Sequence, residues 1–194
     1  LTVLMSPDML PKHLPAGSPI SALAASPVSL SKKTVSLPVY GQTKLQLKNT
    51  NPQKKVSWSS KSTRIATVKA AGSNGNTVTI TGKKAGTVTV SAKYNGRTYS
   101  VKVSVKSPSL SKKSCSLAVG KTTALTLKNT VRSKKTVWKS SKTGVATIKV
   151  SGSKVAVTGK KAGTAVISAT YNGKKYSCKV TVKAKKVTIA IAKD

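Results

Sequence analysis

Carboxylates are almost missing from this chain. Asp8 and Asp194 are its only acidic residues, and glutamate does not occur among its 194 positions. Histidine occurs once, as His13, phenylalanine not at all, and cysteine twice. Each scarcity removes a class of chemistry. Paired-carboxylate hydrolysis, a Ser-His-Asp triad and a carboxylate-built calcium site all need groups that residues 27–183 do not contain. Two cysteines and one distant histidine do not make a zinc site. The chain therefore reads as a non-enzyme with no metal and no cofactor, and His13, between Pro11 and Pro15, as a loop residue. No apolar run approaches 18 residues, so no spanning helix is written into it.

Basic residues stand where the acids are missing. Lysine and arginine number 36, giving a formal charge of +34 and a pI near 10.6, in a chain that is still 38% hydrophobic. Disordered basic tails lack that apolar content, so a folded and very cationic protein is expected. The first residue is Leu1, which points to a processed chain or a fragment. "ALA" at 22–24 has the spacing of a signal-peptidase site, but Asp8 and the prolines at 7, 11, 15 and 19 spoil the apolar stretch before it. Residues 1–26 are read as an extended segment of the mature chain.

The rest of the sequence is written twice. "SLSKKTVSLPVYGQTKLQLKNT" at 29–50 matches "SLSKKSCSLAVGKTTALTLKNT" at 109–130, an offset of 80 that also pairs Trp58 with Trp138 and Ile65 with Val145. After the "AAGSNGN" stretch the offset falls to 77, so "TGKKAGTVTVSAKYNGRTYSVKV" at 81–103 returns as "TGKKAGTAVISATYNGKKYSCKV". Three extra residues absorbed without disturbing either flank belong in a surface loop. The units run over 27–106 and 107–183, leaving 184–194 as an added tail.

Inside each unit the hydrophobic period is two. Val35, Leu37 and Val39 alternate with Ser36 and Pro38, and the pattern continues through Leu45 and Leu47, Val78 and Ile80, Val88 to Ala92, and Tyr99 to Val105. Short alternating runs rich in Val and Thr mark half-buried strands. The Asn-Gly of "YNG", at 94–96 and 171–173, suits a tight hairpin turn. About seven short strands in some 80 residues, with one Trp on an early strand, describe a small antiparallel sandwich with Trp58 or Trp138 as a core residue. No amphipathic helix is expected.

The motifs "W-S-S-x-S-x-x-x-A-T-V" at 58–68, "TGKKAGT" at 81–87 and the closing "Y-S-V-K-V" resemble the bacterial immunoglobulin-like domain of group 2. The second unit carries "W-K-S-S-K-T-G-V-A-T-I", "TGKKAGT" and "Y-S-C-K-V". The resemblance covers 27–183 and misses both ends. It implies an all-β chain of two tandem immunoglobulin-like antiparallel β-sandwiches with extended N- and C-terminal segments. It also implies an extracellular setting, since the module is strung in tandem in intimin- and invasin-type adhesins, in Gram-positive surface proteins and in some phage proteins. About function it implies less, because such modules mostly act as spacers.

Cys115 stands where the first unit has Val35, and Cys178 where it has Val101. Both valines face inward in the alternation, so the two columns are expected to touch near the first and last strands. A disulfide between Cys115 and Cys178 is the favoured reading, worth roughly 4 kcal/mol if unstrained, and it argues for an extracellular address. Two buried free thiols acting as small hydrophobes are the alternative.

Lysine and arginine number 15 in the first unit and 17 in the second, so the charge is spread rather than gathered into one stripe. On outward strand positions they block edge-to-edge aggregation. Charge of one sign also repels itself, and a polyanionic surface such as a cell wall is the expected counterweight. Arginine occurs only at 64, 97 and 132, and the aromatics are accounted for by packing. Base reading wants bidentate arginines and exposed stacking rings, so contact with nucleic acid is expected to be nonspecific and salt-sensitive.

The tail "KKVTIAIAKD" places Val187, Ile189 and Ile191 on one face of a further strand. That strand could open a truncated third unit, fold back on its own sandwich, or add to a neighbouring subunit and build a homo-oligomer or filament by strand addition. The join "VKSPSL" at 105–110 is short and contains Pro108, which predicts a stiff rod. The sequence thus points to an extracellular structural or adhesive protein of a bacterial envelope, with a phage virion decoration or tail protein and a cationic module for polyanions as the other readings.

Overall fold

The computed structural model describes residues 26–185. The segment before them and the expected assembly strand with Val187, Ile189 and Ile191 lie outside the described residues. All regular structure among the described residues is β. In the first domain the strands are β1 (Ser29–Leu30), β2 (Thr34–Pro38), β3 (Gln42–Lys48), β4 (Ser57–Ser60), β5 (Ala66–Ala71), β6 (Thr77–Gly82), β7 (Gly86–Tyr94) and β8 (Arg97–Lys106). The second repeats them as β9 (Ser109–Leu110), β10 (Ser114–Ala118), β11 (Thr122–Lys128), β12 (Thr136–Ser140), β13 (Ala146–Ser151), β14 (Lys154–Gly159), β15 (Gly163–Tyr171) and β16 (Lys174–Lys183).

Each domain is a pair of four-stranded sheets. The first has the orders β1-β3-β6-β5 and β2-β8-β7-β4, and the second has the same orders with the corresponding strands. Eight strands, rather than the seven expected, arise because the opening strand changes sheets. Its first piece pairs antiparallel with β3 through Leu30 and Leu47, and its second pairs parallel with β8, Val35 opposite Val103. The repeated serine of "SLSKK" makes the switch possible. Ser31 Oγ accepts the Gln46 N–H at 3.0 Å while the Ser31 N–H reaches Gln46 O at 2.8 Å, and Ser111 does the same with Thr126. Backbone groups that would lose ladder partners at the break are thus satisfied.

Inward positions of the two sheets form the core. In the second domain Leu125, Trp138, Val157, Ile167, Tyr171 and Val180 belong to one continuous cluster. In the first, Leu45, Ile80, Val90 and Val103 fill one part of the equivalent space and Leu47, Val56, Ala92 and Tyr94 the other, with Leu30 packed against both. Trp58 lies half-buried against both. The two "YNG" segments close the β7–β8 and β15–β16 hairpins with positive φ at Asn95 and Gly96, and at Asn172 and Gly173. That is the geometry for which Asn-Gly is favoured.

Candidate functional site

The indole of each sandwich is pinned by its N–H. Trp58 Nε1 donates to Gly75 O at 2.7 Å and Trp138 Nε1 to Gly152 O at 3.2 Å, so each ring ties its strand to the turn across the sandwich. Trp138 is 6% exposed within its core cluster, while Trp58 is half-buried against its own. The tyrosines of "YNG" act alike: Tyr94 OH accepts the Asn51 N–H at 2.7 Å, and Tyr171 OH the Val131 N–H at 3.1 Å.

The disulfide expected between Cys115 and Cys178 is not formed, and both are free thiols. Cys115 on β10 stands opposite Val180 in the parallel pair, so Cys178 is its diagonal neighbour on β16. That placement leaves the two thiols as close neighbours. The valine columns are thus adjacent, as the alternation implied, but one inward step out of line. Burial pushes the Cys178 thiol up to about 11, aided by the charge of and a hydrogen bond with the neighbouring Cys115, with Lys112 acting the other way.

The domains meet through a short join, Ser107 and Pro108 between β8 and β9. Tyr40, in the β2–β3 turn, adopts φ = +68°, and aligned at the offset of 80 the second domain has Gly120 with φ = +80°. A left-handed conformation costs a side-chain-bearing residue roughly 1–2 kcal/mol. Tyr40 reaches the second domain from that position. Its OH accepts a hydrogen bond from Asn172 Nδ2 at 2.6 Å, and the ammonium of Lys134 lies 5.5 Å from the centre of its ring. Cation and ring face are attractive at that distance. Around the contact is a cavity of about 240 Å3, lined in part by Lys83, Lys84, Pro108 and Tyr176. The Tyr176 phenol is held above its ordinary value by burial first and then by Tyr171 and Tyr40. Sequence reading missed Tyr40, although a tyrosine aligned with a glycine in the other repeat was a usable sign.

The far larger opening lies at the end of the second domain that carries the β11–β12 loop. Arg132, Lys134, Lys135 and Lys154 stand around a cleft of about 920 Å3 between that loop and the β13–β14 turn. All four side chains are exposed, and residues 26–185 contain no Asp or Glu to pair with them. Among the described residues no group of three or more potential metal ligands occurs, and no helix is long and apolar enough to cross a membrane.

A family model described as Bacterial Ig-like domain (group 2) matches twice, over residues 24–103 and 104–182. No curated protein matches the chain. Among solved structures, the S-layer protein rSbsC is 20% identical with a TM-score of 0.38, over 84% of this chain and 28% of that one. InvD of Yersinia pseudotuberculosis is 13% identical with a TM-score of 0.31, over 85% of this chain and 60% of that one. A titin I9-I11 tandem is 12% identical with a TM-score of 0.43, over 81% and 66%. The chain spans little more than a quarter of the length of the S-layer protein it matches.

Proposed function

The chain belongs to the family of group 2 bacterial Ig-like domains, two of which fill residues 24–103 and 104–182, and from that premise we propose that it is a non-enzymatic structural or adhesive element of a bacterial envelope. It stands at the cell surface as a stiff cationic rod. Its partner is a polyanionic surface such as the cell wall, and its contact with nucleic acid is nonspecific. The terminal segments, with Val187, Ile189 and Ile191 as a donated strand, link copies into filaments.

The observation that carries this reading is the bridge across the junction. A tandem of independent spacers would need only the Ser107-Pro108 join. Here Tyr40 keeps an unfavourable backbone conformation while its side chain holds Asn172 and Lys134 of the next domain. Strain retained at one residue, with glycine at the matching site of the other copy, is the pattern expected where a contact outweighs a local cost. Rigidity supports a load-bearing or spacing role rather than a flexible tether.

Small-angle scattering and electron microscopy of the full chain test it. One sharp rod-like distance distribution is expected from the wild type, and a broader one from Tyr40→Ala, Asn172→Ala. A wild type as broad as the variant removes the rod. Separately, fibres growing with concentration and lost on deleting 184–194 support strand-donated assembly, and monodisperse particles at every concentration remove it.

A further inference from the structure

We propose that the cleft between the β11–β12 loop and the β13–β14 turn is a binding site for a base-free phosphodiester polymer. The proposal rests on the envelope reading above and deepens it by locating the anion contact. Two observations carry it together: a space emptied by a local deletion, and a change in the residues around that space.

In the first domain the corresponding space is closed by its own chain. The β5–β6 connection there holds the three extra residues and sends Asn74 inward, 6% exposed. Asn74 Nδ2 donates to Asn51 O at 3.2 Å, to Lys54 O at 3.4 Å and to Thr50 Oγ1 at 3.4 Å, and its Oδ1 accepts the Asn76 N–H at 3.2 Å. The Val56 N–H also bonds to Asn74 O at 2.9 Å. Loop and turn are thus sealed to one another. The second domain makes the same connection with a tight turn through Gly152, and the cleft of about 920 Å3 remains.

The lining changes in step. Arg132 replaces Pro52 and Lys154 replaces Thr77, adding two cations to the pair Lys134 and Lys135 that both domains share as Lys54 and Lys55. Ser133 and Ser151 add hydroxyl donors to the rim. With no carboxylate in residues 26–185, the counter-charge for these four groups comes from outside the folded chain. Ammonium groups bind phosphate oxygens as point charges, while the single guanidinium grips one phosphate in a bidentate fork. No aromatic side chain lines the cleft, so a stacked base gains nothing there. An open, one-sided cleft suits a chain running through it.

The test titrates the full-length chain with an oligomer of glycerol phosphate at rising salt. Two variants carry equal charge loss: Arg132→Ser, Lys135→Ser, Lys154→Ser in the cleft, and Lys44→Ser, Lys69→Ser, Lys102→Ser on exposed strand positions of the first domain. The cleft variant is expected to weaken binding about tenfold or more and to flatten the slope of log affinity against log salt by about 2, as the loss of three phosphate contacts requires. The strand variant is expected to lose less than about threefold. Equal losses in the two variants would mean diffuse charge and no site, leaving the envelope reading intact. Failure of the wild type to bind at about 50 mM salt would sink site and polyanion partner together. Single-stranded DNA bound as tightly as the oligomer, with the same dependence on the cleft residues, would overturn the base-free occupant.

Discussion

Between its third and fourth strands and its fifth and sixth, the first domain fills its own end with Asn74, while the second leaves the matching space open to solvent. The difference is three residues in a stretch that otherwise repeats. The indoles differ too, Trp58 half-buried between the two parts of the first core and Trp138 buried within the second. At the opposite turn the relation is reversed, with strain in Tyr40 of the first domain and a permissive Gly120 in the second. Near-identical strands therefore fix a common frame, and the connections decide what each end of it can do.

The indoles give the strongest way to break this contrast. Trp138→Ala is expected to cost the second domain about 3–5 kcal/mol, and Trp58→Ala at least about 1 kcal/mol less in the first, because its ring is already partly in water. Denaturant unfolding followed by calorimetry and by the remaining indole reads both, and equal costs would mean that the two cores do not differ in the way their burial suggests. Asn74→Ala should come next, at about 1–3 kcal/mol, since it strips hydrogen-bond partners from part-buried backbone groups of the loop and the turn.

Exchanging the turn residues tests the strain. Gly120→Tyr places a side chain at φ = +80° in open space, so its cost is conformational alone, about 1–2 kcal/mol. Tyr40→Gly removes comparable strain but adds unfolded-chain freedom of about 0.5–1 kcal/mol, so the first domain's own stability should move by less than about 1 kcal/mol. A large loss there would show that Tyr40 serves its own sandwich rather than the junction.

The smallest effects are those of pH. The Cys178 thiol rises from 9.0 to about 11 on folding, so the unfolded chain releases that proton first. The stabilisation is complete below pH 9 and is lost as the pH climbs towards 11. Lysine neutralisation affects both domains over the same range, so the readout is the difference between them, which Cys178→Val should reduce, leaving the share that the raised Tyr176 phenol contributes. Below that range neither domain holds a carboxylate, and the melting temperature should stay nearly flat from about pH 3 to pH 9 at constant ionic strength. A steep fall below pH 5 would contradict it. Alkylation of the unreduced, unfolded chain should label both Cys115 and Cys178, and labelling only after reduction would restore the disulfide.

Much of the sandwich was readable along the chain. Alternation places Leu45, Val78, Ile80, Val90 and Val103 inward because a pleated strand sends every second side chain to one face, and those residues are buried. The break in the opening strand was not readable, since Ser31 and Ser111 look like ordinary loop serines until their hydrogen bonds across to Gln46 and Thr126 are known. Nor was the site. The drop in offset from 80 to 77 located a loop, but that Asn74 fills a space there which Arg132 and Lys154 flank in the other copy depends on segments far apart in the sequence.

The linear chain was enough to settle the fold class, the two units and the overwhelming positive charge, because period, repetition and composition are local properties that folding only expresses. Strand register, the diagonal placement of Cys115 and Cys178, the reach of Tyr40 over the junction and the openness of the cleft belonged to the tertiary structure. Each depends on how segments distant in sequence are set side by side, and a shift of one residue or one turn changes which groups meet.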